Sequence, residues 1–431
     1  MGIVSPGRPI IEPSPPTAVV EHISAGADII VPIANGEPVT LLDAIEQHES
    51  SMSNVRIHQM HALHDRPYLH GSYGDRLRHV SYFLSHVTRP CFRAGTIDLV
   101  PNNFSEMRLI LQAATSDPLV VASASPPDRH GYFSLGLNAD YVASFIGRAR
   151  FFLEANRQMP RTFGRNQIHI SQVVGWSEAD YPLALVPPTV PVEADMRIAE
   201  FVAERIRDRS TIQVGIGSIP NAILSALTGH CDLGIHTELI SDGIMDLVEA
   251  GVVNGVAKEL NRTKTVGTFA LGTQRLYEFL HENTAFELWP VRYVNDPRVI
   301  AQETNFVSIN ATISVDLIGQ CASETVGGSY YSSSGGQADF ARGAMYSPGG
   351  QGFVVLHSAA KNTTISKIVP QLAAGDVVTT LKNTVDKVVT EWGVAELRGR
   401  TIRARAGALI DIAHPAHREA LTVAARRLGY I

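Results

Sequence analysis

Cysteine is scarce in this chain. Cys91, Cys231 and Cys321 are its three cysteines, far apart and in no paired motif. Three thiols exclude an all-thiolate zinc site, which needs four, and they fit a reducing compartment. Long apolar runs are also missing. No stretch approaches the roughly 18 residues of a membrane-crossing helix, and Met1 to Pro9 carries no apolar run of signal-peptide length. A soluble, cytoplasmic protein with no membrane partner is expected. One-sided charge is absent as well: 36 basic against 42 acidic residues give a net charge of -6 with no long block of one sign. Without a basic stripe, nucleic acid is not an expected partner.

What the chain does have is length and apolar material. Its 431 residues, 45% of them hydrophobic, exceed one core and predict two domains of roughly 200 residues each. Residues 1 to 16 carry five prolines and read as an irregular arm. A short helix follows from Val19, then the apolar run Ile29 to Ile33, a turn at Asn35-Gly36, and a helix from Val39 to about Gln47 with Leu41, Leu42 and Ile45 on one face. Further strands are predicted at 54–60, 95–100 and 118–124, and helices at 76–88, 103–115 and 138–147. Such alternation implies a mainly parallel sheet covered on both faces. The prolines of YPLALVPPTVPV (181 to 192) forbid a helix and mark the boundary, giving an N-terminal α/β domain at 1–190 and a C-terminal one at 191–431. The second half restarts with a helix at 194–208, a strand at 211–215 and a helix at 220–228. The fold class expected is α/β, two open units.

Two short stretches of the second half carry candidate chemistry. In Gly234-Ile235-His236-Thr237-Glu238-Leu239-Ile240-Ser241-Asp242 the pattern is a strand end followed by a helix N-cap at Ser241 or Asp242, with Gly251 as the residue that closes that helix. Glu238 then lies in a strand-to-helix loop, where open α/β sheets bind ligands. One unit upstream, Gln213-Val214-Gly215-Ile216-Gly217 leads into Pro220, a turn whose glycines let backbone amides approach an anion or oxyanion. It lacks the full dinucleotide-binding spacing and the Lys-Ser/Thr pair of a P-loop. The Gly- and Ser-rich residues 327 to 352 read as a ligand-lining loop.

Other clusters are weaker. The spacing of His58, His61 and His64 converges on neither a strand nor a helix face, so no metal is expected. Asp128, Arg129 and His130 suit a turn as well as a substrate contact. Ser332 to Ser334 have no nucleophile-elbow context.

Five motifs in order, VGIGSIPNAIL (214 to 224), GIHTELISDGIMDLVEAGVV (234 to 253), SINATISVDLIGQ (308 to 320), GGQADFARGA (335 to 344) and VVTEWGVAELRG (388 to 399), resemble the acetyl-CoA hydrolase/transferase family. SPPDRHGYFSLG (125 to 136) and Met159 to Thr162 in the first half are similar to it too, whereas 58–78 matches poorly and Ile313-Ser314-Val315-Asp316 departs from the usual Leu-Glu-Val-Asp. The resemblance implies two related α/β domains of the kind shared by CoA transferases and some sugar-phosphate isomerases, with the active site between them. It also implies a homo-oligomer, a dimer or tetramer. Glu238 would be the nucleophile that attacks an acyl-CoA thioester. Gln213, Val214, Gly215, Ile216, Gly217, Ile313, Gly336 and Lys361 would contact CoA, and Asn295 and Gly335 the substrate. Coenzyme A and acyl-CoA would be substrates, with no permanently bound cofactor, and a small carboxylate the acceptor. The expected activity is CoA transfer; acyl-CoA hydrolysis and a catalytically silent CoA-binding protein are the competing readings.

Overall fold

The computed structural model describes residues 11–187 and 189–431. The chain forms two compact units, Met1–Val186 with Thr268–Tyr293, and Pro187–Gly267 with Val294–Ile431. The boundary thus falls inside the proline-rich segment, but Thr268–Tyr293, placed by sequence in the 191–431 domain, returns to the first unit. Its apolar side explains the return: Leu276, Tyr277 and Leu280 are buried, and Tyr277 Oη donates to the Ala184 carbonyl at 2.7 Å. Backbone bonds fix it further, from Ala139 N to the Thr268 carbonyl and from Ala270 N to the Leu137 carbonyl.

The first unit holds a seven-stranded parallel sheet of β1 (Asp28–Val31), β2 (Val55–Gln59), β3 (Leu77–Ser81), β4 (Asp98–Leu99), β5 (Leu119–Ala124), β6 (Arg150–Asn156) and β7 (Gly175–Ala179). Their order is β7-β6-β5-β1-β2-β3-β4. Every residue of β1 and β5 is buried, the mark of strands covered on both faces. The helix Val39–Gln47 forms as expected, with Leu41, Leu42, Ala44 and Ile45 buried.

The second unit's main sheet runs β9-β8-β10-β11-β12-β13, from β8 (Thr211–Val214), β9 (Gly234–Ile235), β10 (Phe306–Ala311), β11 (Gln351–Val355), β12 (Lys387–Thr390) and β13 (Gly393–Glu396). All pairs are parallel except β12 with β13. In each sheet the strand order reverses once, between β1 and β5 and between β8 and β10, so the two units are open α/β folds of the same kind. Such reversals leave a crevice at the carboxyl ends of the strands.

Several local expectations change. Residues 76–88 are not a helix: Leu77, His79 and Ser81 turn inward while Arg78 faces out, a period of two that charged neighbours hide, and a helix begins only at Thr88. At 138–147 there is only a short 3-10 turn, Val142–Phe145, because the Asp140 carboxylate captures the Val142 amide at 2.7 Å and Asp140 itself has φ +29°. The strand at 95–100 shortens to β4. The segment 327–352 is not all loop; Gln337–Tyr346 is a helix begun at Gly336, with Phe340, Ala341 and Ala344 buried. Of the N-terminal arm, residues 1–10 lie outside the described residues. No described helix is long and apolar enough to cross a membrane.

Candidate active site

Glu238 sits in the loop between β9 and the helix Asp242–Glu249, whose N-cap is Ser241 and which closes before Gly251 at φ +75°. Three consecutive side chains of this loop fix its path. His236 Nε2 donates to the Val294 carbonyl at 2.7 Å, and burial pushes its pKa down to about 3, so the ring is neutral at physiological pH. Thr237 Oγ1 reaches Val214, donating to its carbonyl at 3.3 Å, which ties the Glu238 loop to the glycine turn after β8. Glu238 then meets Asn295, the neighbour of the residue that His236 holds.

The carboxylate of Glu238 accepts Asn295 Nδ2 at 2.7 Å and the backbone N–H of Gly336. Gly336 caps the helix Gln337–Tyr346, so the positive end of a ten-residue helix faces the carboxylate. Any larger residue would displace the site: a Cβ on Gly336 would lie 2.1 Å from Glu238 Oε2 and 2.3 Å from Asn295 Nδ2, so one of those side chains would have to move. Gly335, at φ +54°, turns the chain into this position.

Although the Glu238 residue keeps some solvent exposure, its carboxyl group is desolvated. Burial raises its pKa from 4.5 to about 7, and the Asn295 and Gly336 donors offset part of that rise. The group is a carboxylate poised near neutrality, with two donors beside it and little water around it. That is the state in which a carboxylate serves as nucleophile or general base.

The glycine turn is built on the reversal between β8 and β10. Gln213 and Asn310 exchange two side-chain amide bonds, each 3.1 Å, and Gly215 N donates to the Ile309 carbonyl at 3.0 Å. Gln213 is therefore spent on holding the two strands. Gly217 has φ +126°, a conformation that only glycine adopts freely, while Ile216 at the tip is 62% exposed, an unusual position for isoleucine in an otherwise packed loop. Ile313 follows β10 and donates its N–H to the Ala322 carbonyl at 3.1 Å. Lys361 stands exposed at a hairpin tip, the first of three successive residues with positive φ, Lys361, Asn362 and Thr363. Glu238, Asn295, Gly336 and, through Thr237, the Val214 turn are thus joined by hydrogen bonds, whereas neither Ile313 nor Lys361 is a hydrogen-bond partner of Glu238.

Two supports were not foreseen. Lys258, wholly buried, donates Nζ to the carbonyls of Ile235 at 2.8 Å and Lys264 at 2.9 Å. Gly234 makes room for it, since a Cβ there would lie 2.5 Å from Lys258 Cγ. His236 is the other, and its signal was only a histidine within an apolar strand end. Of the trio weighed for a metal, His58 bonds Tyr82 and Asp28, His64 bonds Glu37, and the His61 ring packs against Phe83. Among the described residues no group of His, Cys, Asp or Glu is arranged to hold a metal ion.

This geometry, a desolvated glutamate facing a helix N-terminus in an open α/β unit, defines a carboxylate-centred site. The pattern of the acetyl-CoA hydrolase/transferase N-terminal domain matches residues 14–190, and that of its C-terminal domain matches residues 272–425. The chain belongs to the acetyl-CoA hydrolase/transferase family. Glu238 and the glycine turn lie between the two matched stretches. The chain is 46% identical over 419 residues to the succinyl-CoA:cyclohexane-1-carboxylate CoA transferase of Geobacter metallireducens, covering 96% of this chain and 95% of that one. It is 40% identical over 410 residues to the 4-hydroxybutyrate coenzyme A transferase of Clostridium kluyveri, with 93% and 94% covered. The crystal structure of RipA from Yersinia pestis superposes with a TM-score of 0.92 at 35% identity, covering 97% of this chain and 98% of that one. More distant relatives are named acetyl-CoA hydrolases.

Proposed function

We propose that this enzyme transfers CoA from a short-chain acyl-CoA to a small carboxylate, with Glu238 as covalent nucleophile. The observation that supports it most is the Glu238 carboxyl itself, desolvated to a pKa of about 7 and aimed by Asn295 and Gly336. A carboxylate suits this exchange because each of its acyl products stays as reactive as a thioester. One Glu238 oxygen attacks the thioester carbonyl, giving a mixed anhydride and CoA thiolate. The thiolate attacks the glutamyl carbonyl, releasing the first acid and leaving a glutamyl-CoA thioester. The acceptor carboxylate attacks that thioester, and the thiolate released then takes the acceptor's carbonyl from the second anhydride, restoring the Glu238 carboxylate.

Amides of the Val214–Gly217 turn and of Gly336 would stabilise the tetrahedral oxyanions, each worth about 3–4 kcal/mol of barrier. Asn295 and Gly335 would contact the reacting acyl group; Gln213, Ile216, Ile313 and Lys361 would line or position the CoA arm. CoA is then substrate, with no resident cofactor. A relative named for succinyl-CoA at 46% identity makes succinyl-CoA the first donor to test. The test is borohydride treatment during turnover, followed by peptide mass spectrometry. Reduction of the Glu238 side chain is expected only when acyl-CoA is present, and an unmodified Glu238 would rule the assignment out. Hydrolysis is the second reading, supported by the distant relatives; thioester loss in the absence of any acceptor carboxylate would favour it.

A further inference from the structure

Arginines of the first unit commonly face carboxylates: Arg56 lies 2.8 Å from Asp28, Arg66 2.9 Å from Asp43 and Arg150 3.3 Å from Asp117. Arg108, Arg148 and Arg292 do not. Three elements bring them together. The helix Met107–Ala114, which carries Arg108, packs against the turn Val142–Phe145. Just beyond that turn the chain folds back through Gly147 at φ +72°, with Arg148 N donating to the Phe145 carbonyl at 2.8 Å. The short helix bearing Arg292 is pinned beside the same turn, because Val291 N donates to the Asp140 carbonyl at 2.8 Å.

Like charges gathered this way need a counter-charge. Arg292 and Arg148 both act on the Arg108 guanidinium, which burial and then their repulsion push below the ordinary arginine range. No described carboxylate pairs with any of the three. Arg108 Nε is buried and has no acceptor among the described residues, whereas Arg148 and Arg292 extend into solvent. In a chain of net charge -6, three arginines on adjoining elements without a carboxylate partner, one of them with a buried, unpartnered Nε, leave room for an anion.

We propose that Arg108, Arg148 and Arg292 form an anion site that takes a multiply charged phosphate group. A monocarboxylate would neutralise one arginine. A phosphate offers two charges and several oxygens to guanidinium forks carried on three separate elements, and guanidinium binds such oxygens through paired N–H donors. The phosphate could be the nucleotide end of a CoA or a free phosphate compound, and the site does not depend on Glu238 chemistry.

The test is calorimetric titration of the full-length protein with pyrophosphate at low salt, on wild type, Arg108→Gln and the double variant Arg148→Gln/Arg292→Gln. Melting curves check the fold, and the double variant alters only exposed side chains. Saturable binding is expected, weakened about tenfold or more in both variants and falling with added salt. Binding of equal strength in wild type and the folded double variant, or no saturable binding to wild type, would overturn the proposal. Competition identifies the source: displacement of pyrophosphate by CoA but not by pantetheine assigns the site to the CoA nucleotide, and displacement by neither assigns it to a free phosphate compound. Glu238→Ala should bind pyrophosphate like wild type, which separates failure of this site from failure of the transfer reaction.

Discussion

Glu238 holds its proton to about pH 7 in the folded chain but releases it near 4.5 when unfolded. Between those values the folded state binds more protons, so this group's contribution to stability declines as pH rises through the window and stays low above it. Glu238→Gln removes the charge while keeping the shape, and the buried Asn295 Oδ1, which has no partner in the described residues, can accept the new amide. We expect the variant to be more stable than wild type by about 1–3 kcal/mol at pH 8 and indistinguishable at pH 4, measured as the difference in denaturant midpoints. With Glu238 as the proposed nucleophile, reacting in its ionised form, the sign reverses for activity: kcat/KM should rise with pH through about 7. Asn295→Ala removes a donor that favours ionisation. Its profile should shift to higher pH, with about tenfold or more lost at pH 7 and part of that loss recovered at pH 9. An unshifted midpoint would remove Asn295 from the account. The place of Glu238 in a strand-to-helix loop was legible in sequence because strand, polar residue and N-cap followed one another from Gly234 to Asp242. Its raised pKa was not, since the groups that desolvate and hold it come from residues 57 and 98 positions downstream.

At the scale of elements, the helix Gln337–Tyr346 matters most. Sequence alone made its residues part of a glycine-rich loop; the structure makes the second glycine a helix cap pressed against the carboxylate. Gly336→Ala should therefore keep the fold yet lose about 100-fold or more of transfer rate, because the methyl group occupies the place of Glu238 Oε2. Wild-type turnover in this variant would show that the close approach is unimportant. Lys258 acts on a neighbouring element by joining the carbonyls of Ile235 and Lys264 below the Glu238 loop. Lys258→Met fills the space but strands both acceptors, and a loss of about 2–4 kcal/mol in chemical denaturation is expected. Helical periodicity was easy to read where one face was apolar, as in Val39–Gln47. It failed at 76–88, where Arg78 and His79 mask a strand, and at 138–147, where a side chain competes with the helix for its own amides.

At the scale of the whole molecule, the strand-helix alternation and the proline-rich boundary were readable, while the excursion of Thr268–Tyr293 was not. Nothing local marks a segment that leaves one compact unit and rejoins another; only its buried Leu276, Tyr277 and Leu280 reveal where it belongs. A fragment ending at residue 190 would lack that piece. We expect it to unfold without the cooperative transition of the full chain, and a sharp melting curve for the fragment would contradict this.

The crowding of Glu238 by its neighbours has a further outcome. In the proposed cycle the side chain, once esterified to sulfur, carries no charge, so the penalty imposed on the resting carboxylate would disappear. Free enzyme would then be the tense member of that proposed cycle, and the covalent intermediate its point of rest. A preparation quenched in the thioester form should melt later than the empty enzyme at pH 8, with the gap closing as the buffer is acidified.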